Sequence, residues 1–439
     1  MSTSRISRRG FLAGSAALGV TGVLSGCVGG GSSDDDGGTA DTSSTEAPSD
    51  ASGPVVLQSS LSDPDPKAAL ESVLNGYTEG DVTLNTVAIE NYRAQLPTYL
   101  SSSEPPDVLT WYAGSVARDY ASKGLLLDLS ELWEGDGACA GFSDALRSLS
   151  SADDGTQIFV PTNYYWWGIF YRKSAFDEWG VEPAETWDDF LALCEDLQQQ
   201  GVTPLSMGTG STPWVASGWF DYLNMRVNGP EFHRALLAGE HSFDSAEVRA
   251  VLDEYAKIVP FIDPNGRSYS WQDAVTPLVQ KEAAMYLIGA FITQTVPEED
   301  VDDIDFFRVP IIDASLPVGE EAPTDGYFAA ANSTRPEGAK ALLSYLAQPD
   351  SQQQFIEESG SSNLPTSPDV DTSGFSPLVQ KGIQHLEETD EITQFFNRDS
   401  SDELQTTADT ALTRFLDNPD DVEQILADWQ SAAERVFEG

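Results

Sequence analysis

The sequence predicts an α/β fold with chain enough for two domains of ordinary size. Short apolar runs of strand length alternate with stretches of helical periodicity, the order that builds a parallel sheet with helices on its faces. The same rhythm starts again after residue 160. With 40% hydrophobic and 10% aromatic residues, the body from about residue 54 onward can bury a sizeable core, which excludes disorder despite its acidity.

The first strand is read at "PVVLQSS", a short buried run. "DPKAALESVLNGYTEG" then places Leu70, Val73, Leu74 and Tyr77 at helical spacing, with Gly80 near the stop. "DVTLNTVAI" is a second strand. A helix follows through Tyr92, Leu96 and Leu100, and Pro97 is expected to interrupt and kink it. "PPDVLTWY" is a third strand, introduced by prolines. Ligands of such sheets bind beyond the carboxyl ends of the strands, which puts Gln58, Ser59, Ser60, Glu90, Trp111 and Tyr112 on one rim.

In the second half, "WGIFYRKSAFDEWG" gives a strand and a short helix. "TWDDFLALCEDLQQQG" is a helix with Thr186 as its N-cap and Gly201 as its terminator. Its Phe190, Leu193, Cys194 and Leu197 share one face, so Cys194 reads as a buried thiol. "VTPLSMG" adds a strand and "EVRAVLDEYAKIV" a helix. "PEGAKALLSYLAQPDSQQQFIEES" and "DVEQILADWQSAAERVF" are helical, the latter stacking Val422, Ile425, Leu426 and Trp429. Cys139 lies in the loop "DGACAGF", and a bridge to Cys194 stays open, because export permits one and spacing does not show geometry. No internal repeat, GxGxxG or Walker loop occurs.

The chain begins with an address. Arg5, Arg8 and Arg9 precede a Gly/Ala-rich apolar run too short to span a bilayer, which takes about 20 residues. "SRRGFL", Ser7 to Leu12, resembles a twin-arginine export signal. "LSGC", Leu24 to Cys27, resembles a lipobox, whose cysteine becomes the lipidated first residue. Residues 1–26 are therefore expected to be a lipoprotein signal. Residues 27–53, mostly Gly, Ser, Thr and Asp, are expected to be a disordered tether. The body would then stand outside the cell on the outer face of the cytoplasmic membrane, held through Cys27 only.

The formal charge is −48, from 71 acidic and 23 basic residues, and loss of the three signal arginines leaves −51. Such a surface repels nucleic acid. It also repels itself at low ionic strength, where charges reach about 30 Å at 0.01 M against about 3 Å at 1 M. Only seven of the basic residues are lysines, and the balance resembles that of proteins from extreme halophiles.

Six segments in order carry a wider likeness: "PPDVLTW", "GLLLDLS", "VPTNYYWWGIFYRKSAFDEWGVEPAETWDDF", "SWQDAVTPLVQKEAAMYLIGAF", "DGYFAAANSTRPEGAKALLSYL" and "SQQQFIEESGSSNLP". Together they resemble the extracellular solute-binding proteins of ABC importers, in the carbohydrate-binding group that includes maltose-binding protein. The resemblance implies a two-lobed periplasmic-binding-protein-like fold, each lobe a mostly parallel sheet flanked by helices, with ligand closed between the lobes. It implies an N-terminal lobe of residues 54–163 and 287–326 and a C-terminal lobe of residues 164–286 and 327–439. Hinges would fall near Asn163, near Tyr286-Leu287 and near Gly326-Tyr327. It also implies a monomer, without cofactor, that captures a sugar or oligosaccharide and hands it to the permease subunits of an importer. Two departures leave the ligand class open, to a polyol, a peptide or a metal chelate. "QSSLSD" follows the first strand where members often carry tryptophan, and Gly289-Ala290-Phe291 stands where they often have Gly-x-Trp.

"PTNYYWWGIFY", Pro161 to Tyr171, holds six aromatic rings in eleven residues. Ile169, Phe170 and Tyr171 are expected in the core, since strands covered on both faces run continuously apolar. Asn163, Tyr164, Tyr165 and Trp166 fall at the crossover, on the expected cleft floor. Trp214 and Trp271 match aromatic positions of the family, and Phe291 and Asp325 join the same rim. Rings stack on the C–H faces of sugars, and polar side chains meet the hydroxyls. The rival from another class is a secreted glycoside hydrolase, which needs two carboxylates about its substrate. Against enzyme chemistry, no GxSxG elbow occurs. His233, His241 and His385 are scattered without metal-ligand spacing, so no metal site is expected.

Overall fold

The computed structural model describes residues 50–437. The export signal, the lipobox with Cys27 and the tether up to residue 49 lie outside the described residues. In chain order the strands are β1 (Val55–Ser59), β2 (Val82–Thr86), β3 (Val108–Tyr112), β4 (Val160–Tyr164), β5 (Trp167–Arg172) and β6 (Thr203–Ser206). They continue with β7 (Ala283–Gly289), β8 (Ile304–Phe307), β9 (Gly319–Glu321), β10 (Thr324–Ala329), β11 (Leu364–Pro365) and β12 (Glu391–Thr393). One lobe carries a sheet of order β11-β4-β10-β3-β1-β2, the other a sheet of order β6-β7-β5-β8, and β9 pairs with β12 separately. Helices flank both sheets, the two-lobed α/β architecture that the sequence predicts.

The strand sense is more mixed than expected. β1 is parallel to β2 and β3, but β10 runs antiparallel to β3 and β4. In the second sheet only β6 and β7 are parallel, and β5 opposes both β7 and β8. The cause is the crossing of the chain between lobes. β1 and β3 end at the cleft, whereas β10 and β5 start there and must run the other way.

Sheet membership also corrects the lobe boundaries. β7 lies wholly in the second sheet and β8 joins it, so residues 287–307 belong with the C-terminal lobe. β10 lies wholly in the first sheet and β11 pairs with β4, which puts residues 327–365 in the N-terminal lobe. The helices Pro336–Leu346 and Pro349–Glu358 follow it there. Tyr345 donates to the Val73 carbonyl at 2.9 Å, and Gln354 to Ser72 Oγ at 3.0 Å. A strand stays in one ladder because leaving it midway would strand its backbone donors and acceptors. The chain therefore changes lobes in connections, at Tyr165-Trp166, between Phe307 and Thr324, and beyond Pro365.

The two faces of the first sheet bury separate cores. Leu57, Leu70, Val73 and Leu342 pack on one, and Tyr92, Leu96, Leu109 and Tyr120 on the other. The helix Ile89–Leu100 passes through Pro97 without ending there, and both the N–H and the hydroxyl of Ser101 bond to the Pro97 carbonyl. In the second lobe Thr186 caps the helix Trp187–Gln199 by accepting from Asp189 N at 3.3 Å, and Gly201 stops the chain at φ +83°. Phe190, Leu193, Cys194 and Leu197 are all buried as their spacing predicts. Cys139 and Cys194 are free thiols in the cores of different lobes, so no bridge joins them. Burial pushes the Cys139 thiol up to about 12 and raises that of Cys194 as well. No helix of the described residues is long and apolar enough to cross a membrane.

Candidate ligand-binding site

A cavity of about 700 Å³ opens where β1 and β3 end and β5 and β10 begin. That is the position expected beyond the carboxyl ends of parallel strands, and the volume is that of a small-molecule site. Its two walls differ in chemistry.

The wall from the second lobe is aromatic. Trp167 opens β5, Trp214 precedes the helix Val215–Asn228, Trp271 lies in a turn before β7, Phe291 follows β7, and Phe395 follows β12. Phe395 stacks on Trp167 with centroids 4.9 Å apart and planes at 19°. Trp271 meets Phe291 edge-on at 4.9 Å, and Trp214 lies 6.3 Å from the same ring. Offset and edge-to-face contacts hold the ring planes in fixed orientations. Gly218 makes room for them, since a Cβ there would come within 2.6 Å of the Trp167 ring.

The wall from the first lobe is mixed, with Trp111, Tyr112, Tyr327 and Phe355 beside hydroxyls and acids. Ser60 N donates to Thr110 Oγ1 at 2.8 Å, and the two hydroxyl oxygens are 3.0 Å apart. Asp63, Glu90 and Asp325, the three carboxylates that line the cavity, all stand on this side. Burial raises the Asp63 carboxyl, and the charge of Glu90 adds to the rise. Arg398 reaches across from the loop after β12. Its Nη1 lies 2.5 Å from Asp325 Oδ1, its Nη2 donates to the Tyr165 hydroxyl at 2.7 Å, and its guanidinium covers the Tyr112 ring at 4.7 Å. Burial raises the Asp325 carboxyl above its ordinary value while Arg398 pulls it back. Burial opposes the Arg398 charge too, but Asp325 outweighs it and keeps the guanidinium protonated. Arg93 is tied to Gln405 Oε1 on the helix Asp402–Asp417.

Of the residues expected at the site, Glu90, Trp111, Tyr112, Asn163, Trp214, Trp271, Phe291 and Asp325 line this cavity. Ser59, Tyr164 and Trp166 do not. Ser59 is fully buried and accepts from Leu61 N at 3.0 Å, leaving the lining to Ser60. Trp166 is fully buried behind the crossover, where a Cβ on Gly382 would come within 2.4 Å of its ring, and Tyr164 lies outside the lining with it. Side chains alternate from the end of β4 through the crossover to the start of β5, so that Asn163, Tyr165 and Trp167 line the cavity and Tyr164 and Trp166 do not. Four consecutive aromatics hide that parity from the sequence. Arg93, Phe395 and Arg398 were also missed, although a phenylalanine pair beside Asn397 and a lone arginine in so acidic a chain is a visible signal.

Asp409 stands behind this wall, its Oδ1 3.5 Å from Asn397 Nδ2. Burial raises its carboxyl from 3.8 to about 6, with Arg93 opposing. Between those values the folded chain keeps the proton and the unfolded chain releases it, so this group lowers stability as pH rises through the window. Asp409→Asn is expected to remove that slope and to melt higher than the parent above pH 6. Thermal melts across the window check it, and an unchanged slope would speak against a buried Asp409.

Residues 62–353, well over half of the chain, match the family described as Bacterial extracellular solute-binding protein. The Alpha-glucosides-binding periplasmic protein AglE of Rhizobium meliloti is 27% identical over 336 residues, which cover 72% of this chain and 73% of that one. An uncharacterized ABC transporter extracellular-binding protein of Pyrococcus horikoshii, PH1214, is 24% identical over 307 residues, 67% of this chain and 66% of its own. Among solved structures, the bacterial solute receptor AcbH superposes with a TM-score of 0.83 at 27% identity over 88% of this chain and 99% of its own. AcbH is described as having an exclusive substrate preference for β-D-galactopyranose. RafE in complex with raffinose shares the fold at a TM-score of 0.73 and 18% identity, covering 87% of this chain and all of its own. On this match and on the two-walled cleft, the chain belongs to the family of bacterial extracellular solute-binding proteins.

Proposed function

We propose that this protein captures a sugar or oligosaccharide between its lobes and delivers it to the permease subunits of an ABC importer. The observation that carries the reading is a cleft lined by rings from both lobes, with hydroxyls and all three carboxylates on the first-lobe wall. A sugar ring needs both, C–H faces against rings and hydroxyls against charged acceptors and donors. A glycoside hydrolase places its two carboxyl groups about the scissile bond, about 5–9.5 Å apart. Here the acids share one side and Asp325 is held by Arg398. The preference reported for AcbH makes galactose the first ligand to test, and the name of AglE makes α-glucosides the second.

Calorimetry in molar salt, with product analysis of the same samples, tests this. Saturable binding without turnover is expected. Trp271→Ala is expected to weaken it about 30-fold, the ~2 kcal/mol of a binding hot spot. Turnover, or binding of none of these sugars, would refute the reading.

The export signal and Cys27 support a lipoprotein delivered by the twin-arginine route and held, as a monomer, outside the cell. The −48 formal charge supports a life in high salt, where repulsion is screened. Cys27→Ser is expected to release the mature body to the medium or to leave an unprocessed precursor. Fractionation followed by mass analysis reads the outcome, and normal processing with full membrane retention would contradict the anchor.

A further inference from the structure

Three side chains scattered in sequence meet inside the second lobe, against the loop that carries Phe395 and Arg398. Asp221 lies on the helix Val215–Asn228, His233 on the helix Pro230–Leu237, and Glu321 ends β9. One ligand atom from each falls within 4.8 Å of the others, and all three residues are fully buried. Asp221 Oδ1, His233 Nε2 and Glu321 Oε2 have no hydrogen-bond partner. Buried polar atoms are rarely left so, because desolvation without a partner is costly. Three such side chains, each bringing one ligand atom within 4.8 Å of the others, need a common explanation.

We propose that Asp221, His233 and Glu321 bind a divalent transition-metal ion of the Zn²⁺ or Mn²⁺ kind. One imidazole and two carboxylates form a nitrogen–oxygen donor set that suits these ions, whereas Ca²⁺ and Mg²⁺ prefer oxygen alone. Tetrahedral ligands at about 2.1 Å from an ion stand about 3.4 Å apart. The 4.8 Å spread therefore closes with a contraction of about 1.4 Å, within reach of side-chain rotation. The two carboxylates would balance the ion's charge. Among the described residues neither of them has a lysine or arginine at salt-bridge distance, and the contact of Glu321 is with His233 at 3.9 Å.

The titration behaviour agrees. Burial raises both carboxyls, that of Glu321 to about 8. Burial pushes His233 down to about 3, which leaves the neutral imidazole that a ligand must be. The surrounding shell is in place as well. Thr393 donates to Glu321 Oε1 at 3.2 Å, Phe396 N to Asp221 Oδ2 at 2.8 Å, and the backbone of Gln394 approaches the imidazole. Asn224 stands 3.1 Å from His233 Nδ1. Ligation through Nε2 needs the proton on Nδ1, so the Asn224 amide must turn and exchange the bond its oxygen accepts from Asn228 Nδ2 at 2.9 Å for one from the imidazole. An ion here would also steady the loop that brings Phe395 and Arg398 to the cleft.

The test uses the whole chain, stripped with a chelator, loaded with Zn²⁺ or Mn²⁺ and dialysed in high salt before metal analysis and thermal melts. One retained ion per chain is expected, with a melting temperature a few degrees above the stripped protein. Ca²⁺ and Mg²⁺ should not reproduce the shift. Glu321→Gln and Asp221→Asn keep the shape and every surface acid, and each should lose both the ion and the shift. If the variants do not fold, retention and shift in the parent alone decide. A parent that retains no stoichiometric ion and melts unchanged would show that the carboxyls merely share a proton. Retention by Glu321→Gln equal to the parent's would place the ion elsewhere and overturn the proposal.

Discussion

Trp166→Ala is expected to cost about 3–5 kcal/mol of stability, the range for truncating a buried aromatic, and to leave sugar affinity nearly unchanged. The indole is fully buried, its centroid is 5.3 Å from that of Phe306, and its ring sits where Gly382 offers no side chain. Nothing of it lines the cavity. Trp271→Ala should show the opposite balance, losing affinity with a smaller loss of stability. Denaturant unfolding and calorimetry on the two variants separate the roles. A Trp166→Ala protein as stable as its parent but unable to bind sugar would return that residue to the cleft.

Removing the Glu320 side chain should be as damaging for a different reason. Glu320 is fully buried with Arg226 Nη2 at 2.7 Å, Arg308 Nε at 2.9 Å and His385 Nε2 at 3.2 Å. Truncating one member of such a group leaves its partners as uncompensated buried charge, about 3–5 kcal/mol where this has been dissected. Burial alone would raise this carboxyl, but Arg226 prevails and holds it down to about 2. Because the folded value lies below the ordinary 4.5, the stability is fully present above 4.5 and is lost as pH falls toward 2. The gap in melting temperature between Glu320→Ala and the parent should therefore narrow on acidification. A gap that stays constant over that range would mean that packing, not charge, is what Glu320 supplies.

Much of the fold was legible because periodicity and capping are local. Thr186, Gly201 and the Phe190–Leu197 face all stand where their spacing puts them. Strand sense and lobe membership were less so. Nothing within "AAMYLIG" tells which ladder it joins, and a hinge placed inside β7 ignored the cost of leaving a ladder midway. At the site, the aromatic and acidic residues that rim the strands were visible as types. Which of four adjacent rings faces the cleft depends on a parity that only a neighbouring strand defines. Arg398 was visible as a residue type, but nothing local joins its loop to Asp325, more than 70 residues earlier. Asp221, His233 and Glu321 meet only through tertiary packing, and no spacing rule joins them.

The loop after β12 reaches from one lobe to the other. Phe396 is fastened to Asp221 in the second lobe, while Arg398 holds Asp325 and Asp399 Oδ1 accepts from Ser115 N and Arg118 Nη2 in the first. It is a latch, and any opening of the cleft must release it on one side. Its first-lobe half is ionic and partly exposed, so dissolved salt competes with it, more strongly at the ionic strengths that the acid-rich surface calls for. The balance between gaping and shut forms is thus set in part by the medium. Dilution strengthens this ionic latch while it also strengthens the repulsion between the acidic lobes, and brine weakens both.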